Sequence, residues 1–345
     1  MTSAGITAGV HAHPAPAARD STRTGGGPER LASLSVVVPV YNSEQSLRPL
    51  VERLATVLPT LARRAELILV NDGSRDRSWE VVRELSAAHD WVRGIDLMRN
   101  YGQHNALLCG IREARSEVIA TMDDDLQHPP EELPHLLAAL ERGYDVVYGT
   151  PAQQQHGVLR NLASRLTKLA LQGAMGADTA GKVSAFRAFR AQVPAAFASY
   201  RNSYVSLDVL LTWGTQRFTS VPVRHEPRRT GVSNYTVGKL MRHALNMVTG
   251  FSTMPLQLAS YVGFGFTLFG IGVLAYVVGR YLLTGGGVPG FPFLASVIAI
   301  FSGAQLFALG IMGEYLARMH TRTMDRPTYV TRETTDAAGA PPEVR

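Results

Sequence analysis

The sequence contains a single cysteine, Cys109, among 345 residues. That excludes an intrachain disulfide framework and a thiolate metal cluster, and leaves a small buried hydrophobe as the natural role of Cys109. No G-x-G-x-x-G follows the first apolar run, and no Walker sequence occurs anywhere. Any nucleotide phosphate must therefore be met by a metal and by cationic side chains rather than by a glycine cradle. The first 33 residues hold no continuous hydrophobic stretch of the kind a secretory signal needs. They are rich in Ala, Gly, Pro and Thr without apolar period, which predicts a disordered tail over 1–33. His11 and His13 in it read as solvated side chains.

Acids are scarce where bases are plentiful. Between Pro151 and Gly250 there are 13 Lys/Arg against three acids, Asp178, Asp208 and Glu226, while the whole chain carries a formal charge of +6. Such a segment could meet nucleic acid, anionic lipid or a phosphorylated substrate. It lacks interleaved stacking aromatics and runs into two long uncharged stretches, so nucleic acid is not expected as a partner.

What is present is a strand–helix alternation. Ser35–Val40, Glu66–Val70, Val92–Leu97, Val118–Thr121 and Asp145–Gly149 read as strands, with helices opening after their ends. The pattern predicts an α/β fold with a mostly parallel sheet covered on both faces. Its strand-end loops carry Tyr41, Asp72, Arg99 and Asp123, which places polar groups on one rim, where open α/β sheets bind nucleotides. The fourth strand leads into Asp123-Asp124-Asp125-Leu126-Gln127-His128-Pro129-Pro130-Glu131. In an extended chain Asp123 and Asp125 point the same way and can face one hard cation, with the amide oxygen of Gln127 two residues on. An acidic turn capping the next helix is the plainer alternative. For His104 and His128, a structural role stands beside a supporting one in the site.

Arg160–Leu171 reads as a helix with basic and apolar faces, and 224–235 as a cationic loop suited to phosphate oxygens. Thr236–Val248 has an apolar stripe with Lys239 and Arg242 off it, a pattern that suits the membrane interface. Leu256–Val278 is uncharged and about 34 Å long as a helix, enough to cross the hydrocarbon core, and Phe293–Met312 is a second such run. Lys and Arg flank the pair, while the connecting turn has none. The positive-inside bias then puts the α/β domain and both termini in the cytoplasm, at a cell membrane. Small-residue faces such as Ala299 and Gly303 leave room for a homo-oligomer. The tail after Val330 reads as loose.

Val38-Pro39-Val40-Tyr41-Asn42, Val70-Asn71-Asp72-Gly73-Ser74 and the acidic run, in that order, resemble the family 2 glycosyltransferases of GT-A fold, and among them the polyprenyl-phosphate glycosyltransferases. Arg99–Asn105, Arg224-His225-Glu226, Ser233-Asn234-Tyr235, Gly250–Thr253, Gly313–Leu316 and Arg326–Val330 extend the likeness over roughly Leu34 to Val330. The resemblance implies a GT-A domain at 34–235, an interfacial segment at 236–255, a transmembrane hairpin at 256–312 and a cytosolic tail at 313–345. It implies inverting transfer of a sugar from a nucleotide-sugar, a UDP-sugar before GDP-mannose, to polyprenyl phosphate. Pro39, Tyr41, Asn42, Glu44, Asp72 and Asp123 would hold the nucleoside. Asp123, Asp124 and Asp125 would form the catalytic acidic set, with Asp123, Asp125 and Gln127 on Mg²⁺ or Mn²⁺. Ser184, Arg187, Arg224 and Arg160 would take the acceptor phosphate. The chain departs from the family wording at Ser43, where an acid is common, at Asp124, where Ala is usual, and at Lys182-Val183-Ser184. A non-catalytic scaffold for lipid carriers and a processive polysaccharide synthase are the alternatives. The first has no need of the acidic set, and the second would bring a Q-x-x-R-W sequence and more spans.

Overall fold

The computed structural model describes residues 30–151, 182–202, 205–226, 254–284 and 290–335. Among the described residues eight strands form one sheet in the order β7-β5-β6-β4-β1-β2-β3-β8. They are β1 (Leu31–Val40), β2 (Ala62–Asn71), β3 (Val92–Leu97), β4 (Val118–Thr121), β5 (Val146–Pro151), β6 (Arg187–Arg190), β7 (Phe218–Val223) and β8 (Thr331–Thr334). β1 pairs in parallel with β2 and β4, β2 with β3, and β5 with β7. β6 is antiparallel to β4 and β5, and β8 is antiparallel to β3.

Continuous apolar runs make the inner strands because both faces of the sheet are covered. In β1, Val36, Val38 and Val40 face one core and Val37 faces the other. Helices α1 (Leu47–Leu61), α2 (Ser78–Ala88) and α4 (Leu133–Glu141) cover the first face. Helices α3 (Gln103–Glu113) and α5 (Leu207–Gly214) cover the second. Leu47, Leu50 and Leu54 of α1 are fully buried, each worth roughly 1.5–3 kcal/mol over an exposed side chain. Gly110 lets α3 lie close on the sheet: a Cβ there would stand 2.4 Å from Val37 Cγ1. Because α1 and α3 lie on opposite faces, a crevice opens at the C-terminal ends of β1 and β4, the switch point of the sheet.

Two elements begin earlier than the apolar pattern indicates. β1 starts at Leu31, inside the expected tail, and β2 at Ala62, with Leu31 opposite Ala62 and Ser33 opposite Arg64. A ladder needs only backbone groups, so it continues past the last apolar side chain. The expected loose tail is likewise corrected: Thr331–Thr334 is edge strand β8, paired with β3. Its alternation is polar because one face is solvated, and polarity alone cannot tell that from coil.

Two long apolar helices follow, α6 (Met254–Thr284) and α7 (Phe291–Thr323). Both are long and apolar enough to cross a membrane, and neither has its apolar window buried in the protein. They touch where the Phe266 and Phe301 rings meet edge-on, 5.5 Å apart, beside Gly270. α7 continues beyond Met312 through Arg318 and Arg322, since nothing breaks the helix there.

Candidate active site

The ends of β1, β2, β3 and β4 and the loops that follow them build a cavity of about 250 Å³ lined by Pro39, Val40, Tyr41, Asp72, Asn100, Gly102, Gln103, Asp123, Asp124 and Asp125. Pro39 and Val40 are the last paired residues of β1, and Tyr41 follows them, 44 % exposed, as a face on which a flat group can stack. Asp72 follows β2 directly. Its carboxylate accepts the backbone N–H groups of Tyr101 at 2.7 Å and Gly102 at 2.9 Å, so it ties the β2 turn to the loop before α3. Burial nonetheless holds its pKa above the ordinary carboxylate value. Gly73, at φ +63°, permits this closeness: a Cβ there would lie 2.5 Å from the Asn100 nitrogen.

The acidic turn leaves β4 through Leu126, a non-glycine residue at φ +60° whose side chain is buried in the core. That left-handed conformation costs roughly 1–2 kcal/mol. The buried leucine holds the chain in the conformation that aims the aspartates at the cavity, the kind of strain found at ligand sites. Asp123 accepts from Gln103 Nε2 at 2.7 Å, and Asp125 accepts the Gln127 N–H at 3.1 Å. Asp124 accepts a short bond from Ser43 Oγ. Burial first, then the charges of Asp123 and Asp125, push the Asp124 carboxyl up to about 7 against the opposing Ser43 bond. Ser43 thus ties the β1 loop to the acidic turn.

Of the expected site residues, Pro39, Tyr41, Asp72, Asp123, Asp124 and Asp125 meet in one cavity. Asn42 and Glu44 turn away from it: Asn42 Oδ1 accepts the Arg75 N–H at 2.8 Å, and Glu44 Oε2 accepts the Arg77 N–H at 3.3 Å. Both carry the β1 loop onto the β2–α2 loop rather than lining the cavity. Gln127 stays on the turn, its carbonyl accepting the Glu226 N–H at 2.8 Å. His128 stacks on Phe186 with ring centroids 5.4 Å apart and meets His225 edge-on. Burial, with His225 alongside, lowers His128 to about 4, so it is neutral where it packs against Phe186. His104 is likewise structural, accepting the Leu207 N–H at 3.3 Å.

Arg187 requires a correction. Its side chain is 2 % exposed and forms an ion pair with the buried carboxylate of Asp208, beneath the Tyr148 ring. β6 inserts between β4 and β5, which carries Arg187 under the sheet instead of onto the rim. Ser184 caps the turn before β6, its Oγ accepting the Phe186 N–H at 3.3 Å. Arg224 is 70 % exposed and donates through Nε to Glu132 beside the acidic turn. Arg160 lies outside the described residues, as do Ser233–Tyr235 and the helices expected at 160–171 and 236–248. Asn100, Gly102 and Gln103 enter the cavity unannounced as individual residues. Their signal was the Arg99–Asn105 run at the end of β3, a strand-end loop like the others.

Residues 35–194 match the model of the Glycosyl transferase family 2. An undecaprenyl-phosphate 4-deoxy-4-formamido-L-arabinose transferase of Shewanella sediminis (strain HAW-EB3) is 35 % identical over 303 residues, 87 % of this chain and 92 % of the relative. One of Yersinia enterocolitica (serotype O:8 / biotype 1B) is 35 % identical over 317 residues, 90 % of this chain and 95 % of that one. Among solved structures, glucosyl-3-phosphoglycerate synthase from Mycobacterium tuberculosis, in complex with Mn²⁺, UDP and glucosyl-3-phosphoglycerate, aligns at TM-score 0.48 and 17 % identity. The alignment covers 64 % of this chain and 79 % of that one. Acidic turn, strand-end loops and near full-length similarity agree: the chain belongs to glycosyl transferase family 2 and is a glycosyltransferase.

Proposed function

We propose that the protein transfers a sugar from a nucleotide-sugar to a polyprenyl phosphate at the cytoplasmic face of a membrane, with inversion at the anomeric carbon. The carrying observation is the acidic turn Asp123–Asp125 in a cavity at the sheet's switch point, in a chain that also holds two helices able to cross a membrane. Relatives of nearly full length bear the names of undecaprenyl-phosphate transferases. A UDP-sugar is the favoured donor.

The cavity suits a nucleoside diphosphate. Tyr41 offers a stacking face, and Asp72 with the Asn100–Gln103 loop supplies further lining. A divalent cation, Mg²⁺ or Mn²⁺, fits the donor chemistry of the turn, which is hard carboxylate oxygen. Among the described residues no three His, Cys, Asp or Glu side chains converge on one point. One or two carboxylates, Asp123 and Asp125, would therefore hold it, with diphosphate oxygens and water completing the shell. When bound, such an ion neutralises charge on the departing diphosphate.

The nucleophile is a phosphate oxygen of the lipid, already largely ionised near neutral pH, so no strong general base is needed. It forms a bond to the anomeric carbon as the bond from that carbon to the diphosphate oxygen breaks, and the electron pair leaves with the nucleoside diphosphate. What the chain supplies is positioning. Gln103 and Ser43 fix the orientations of Asp123 and Asp124, and exposed Arg224 stands at the rim where a lipid phosphate can approach.

The test is transfer of radiolabelled sugar from a panel of UDP- and GDP-sugars into organic-extractable undecaprenyl phosphate, with Mg²⁺, Mn²⁺ or EDTA, beside Asp125→Ala. Metal-dependent lipid labelling from one donor, lost in the variant, is the expected result. A product that keeps the donor's anomeric configuration would overturn the single displacement. No labelling from any donor, with lipid still bound, would return the protein to a carrier-binding role.

A further inference from the structure

Strand β8 lies beyond both apolar helices in sequence, yet it pairs with β3 one loop away from the donor cavity. Its register on β3 is irregular: Thr331 stands opposite Leu97 and Glu333 opposite Asp96, so Arg332 is an extra, bulged residue. Bulges re-aim side chains and recur next to active sites. Here the bulge turns Arg332 back onto the sheet. Its Nη1 lies 3.4 Å from Asp96 Oδ2, and its Nη2 donates to the Met98 carbonyl at 2.9 Å.

Each contact leads to one leg of the cavity wall. Asp96 is buried, and its other oxygen accepts from Asn71 Nδ2 at 2.6 Å, next to Asp72. Met98 begins the loop that supplies Asn100, Gly102 and Gln103, and its N–H is held by the Val330 carbonyl at 2.9 Å. The two legs meet where Asn100 Nδ2 donates to the Asp72 carbonyl at 3.0 Å. Further down the strand, Trp79 Nε1 donates to Glu333 at 2.6 Å and the Gly94 N–H to Thr335 Oγ1 at 2.8 Å, which fixes β8 independently of Arg332.

We propose that Arg332 is a positioning residue for donor binding, and that the strand following the two long helices braces from behind the loop that lines the nucleotide cavity. Without its guanidinium, buried Asp96 loses its cationic partner and the Met98–Gly102 loop loses a clamp on its first carbonyl. A buried carboxylate left unpaired re-sorts its bonds, and Asn71 beside Asp72 moves with it.

The proposal rests on the cavity being the donor site, so the experiment separates the two. The full-length protein in nanodiscs is compared with R332A, R332K and T335V. UDP and GDP are titrated calorimetrically with MgCl₂ and with MnCl₂, and hydrogen exchange of the Met98–Gly102 amides is followed without nucleotide. In R332A those amides exchange faster, the nucleotide that binds is weakened about tenfold, and the donor KM rises while kcat stays within about twofold. R332K recovers part of the affinity, since a single ammonium can reach one of the two oxygens. T335V, which loosens the far end of the strand, stays within about twofold of the unaltered protein. An R332A affinity equal to the unaltered protein's, or an equal loss in T335V, overturns the assignment to Arg332. Faster exchange in R332A with neither nucleotide binding the unaltered protein overturns the donor reading of the cavity, and the proposal with it.

Discussion

At the scale of single residues, the cavity depends on one missing Cβ and one protonation. Gly73 sits at φ +63° against the Asn100 nitrogen. Gly73→Ala therefore meets both a left-handed backbone, costing roughly 1–2 kcal/mol, and a contact no rotamer relieves. Denaturant titration should show at least that loss, and donor KM should rise as the two loops part. Asp124 makes the opposite kind of prediction. Its folded pKa, about 7, lies above the ordinary 3.8. A raised carboxyl stabilises the fold fully below the unfolded value, and that contribution is lost as pH rises through 7. In EDTA, the Tm of the purified protein should fall between pH 5 and pH 8. Asp124→Asn, which still accepts from Ser43, should flatten that fall; an unchanged slope would mean another group is responsible.

Elements decide what a side chain is for. Arg187 carries the same guanidinium as a phosphate ligand, but β6 places it beneath the sheet against Asp208 and Tyr148. Removing it leaves a buried carboxylate uncompensated, which costs about 3–5 kcal/mol. Arg187→Ala should accordingly lose stability and yield, whereas a phosphate contact on the rim would raise acceptor KM in a stable protein. The double variant Arg187→Met/Asp208→Asn, whose amide can still accept from Tyr148, should regain much of the loss in a thermal melt. The contrast with Arg224 is instructive. It follows the end of β7 and stands exposed, and Glu132, to which its Nε donates, keeps the Arg224 backbone N–H and the His135 ring nitrogen as further partners. Arg224→Ala should raise the KM for lipid acceptor with little change in Tm.

At the scale of the whole molecule, two described helices are long and apolar enough to cross a membrane. α6 runs 31 residues and α7 runs 33, about 46 and 50 Å long. Each exceeds the roughly 30 Å hydrocarbon core, so part of each projects into water or the interface. The cations follow α7 out, at Arg318 and Arg322. One cation, Arg280, lies near the connecting end of α6, bonded to the Tyr276 hydroxyl at 3.1 Å. A single arginine there can snorkel and does not offset the excess on the other side. The expected topology has the connecting segment outside and both termini inside. Because Cys109 is buried, introduced cysteines can be read without background. A membrane-impermeant maleimide should label Gly286→Cys in intact cells and Arg345→Cys only after permeabilisation; the reverse pattern would invert the topology.

The sequence by itself determined the first five strands, the acidic turn and the pair of membrane-length helices, while β6, β7 and β8 carry no such signal. Each of the former is written in local terms: apolar runs of strand length, a D-x-D at a strand end, and uncharged stretches longer than a bilayer needs. Pro39, Tyr41, Asp72 and Asp123–Asp125 were legible because strand ends in a parallel sheet share one rim. Tertiary structure alone decided the rest. Whether Arg187 meets solvent depends on where an antiparallel strand inserts, and strand order is a long-range choice absent from local pattern. That Asn42 and Glu44 brace a neighbouring loop depends on which loop stands beside them. β8 looks like tail because an edge strand with a solvated face needs few apolar residues. Its partner, β3, lies more than two hundred residues earlier, and only folding brings Arg332 to Asp96.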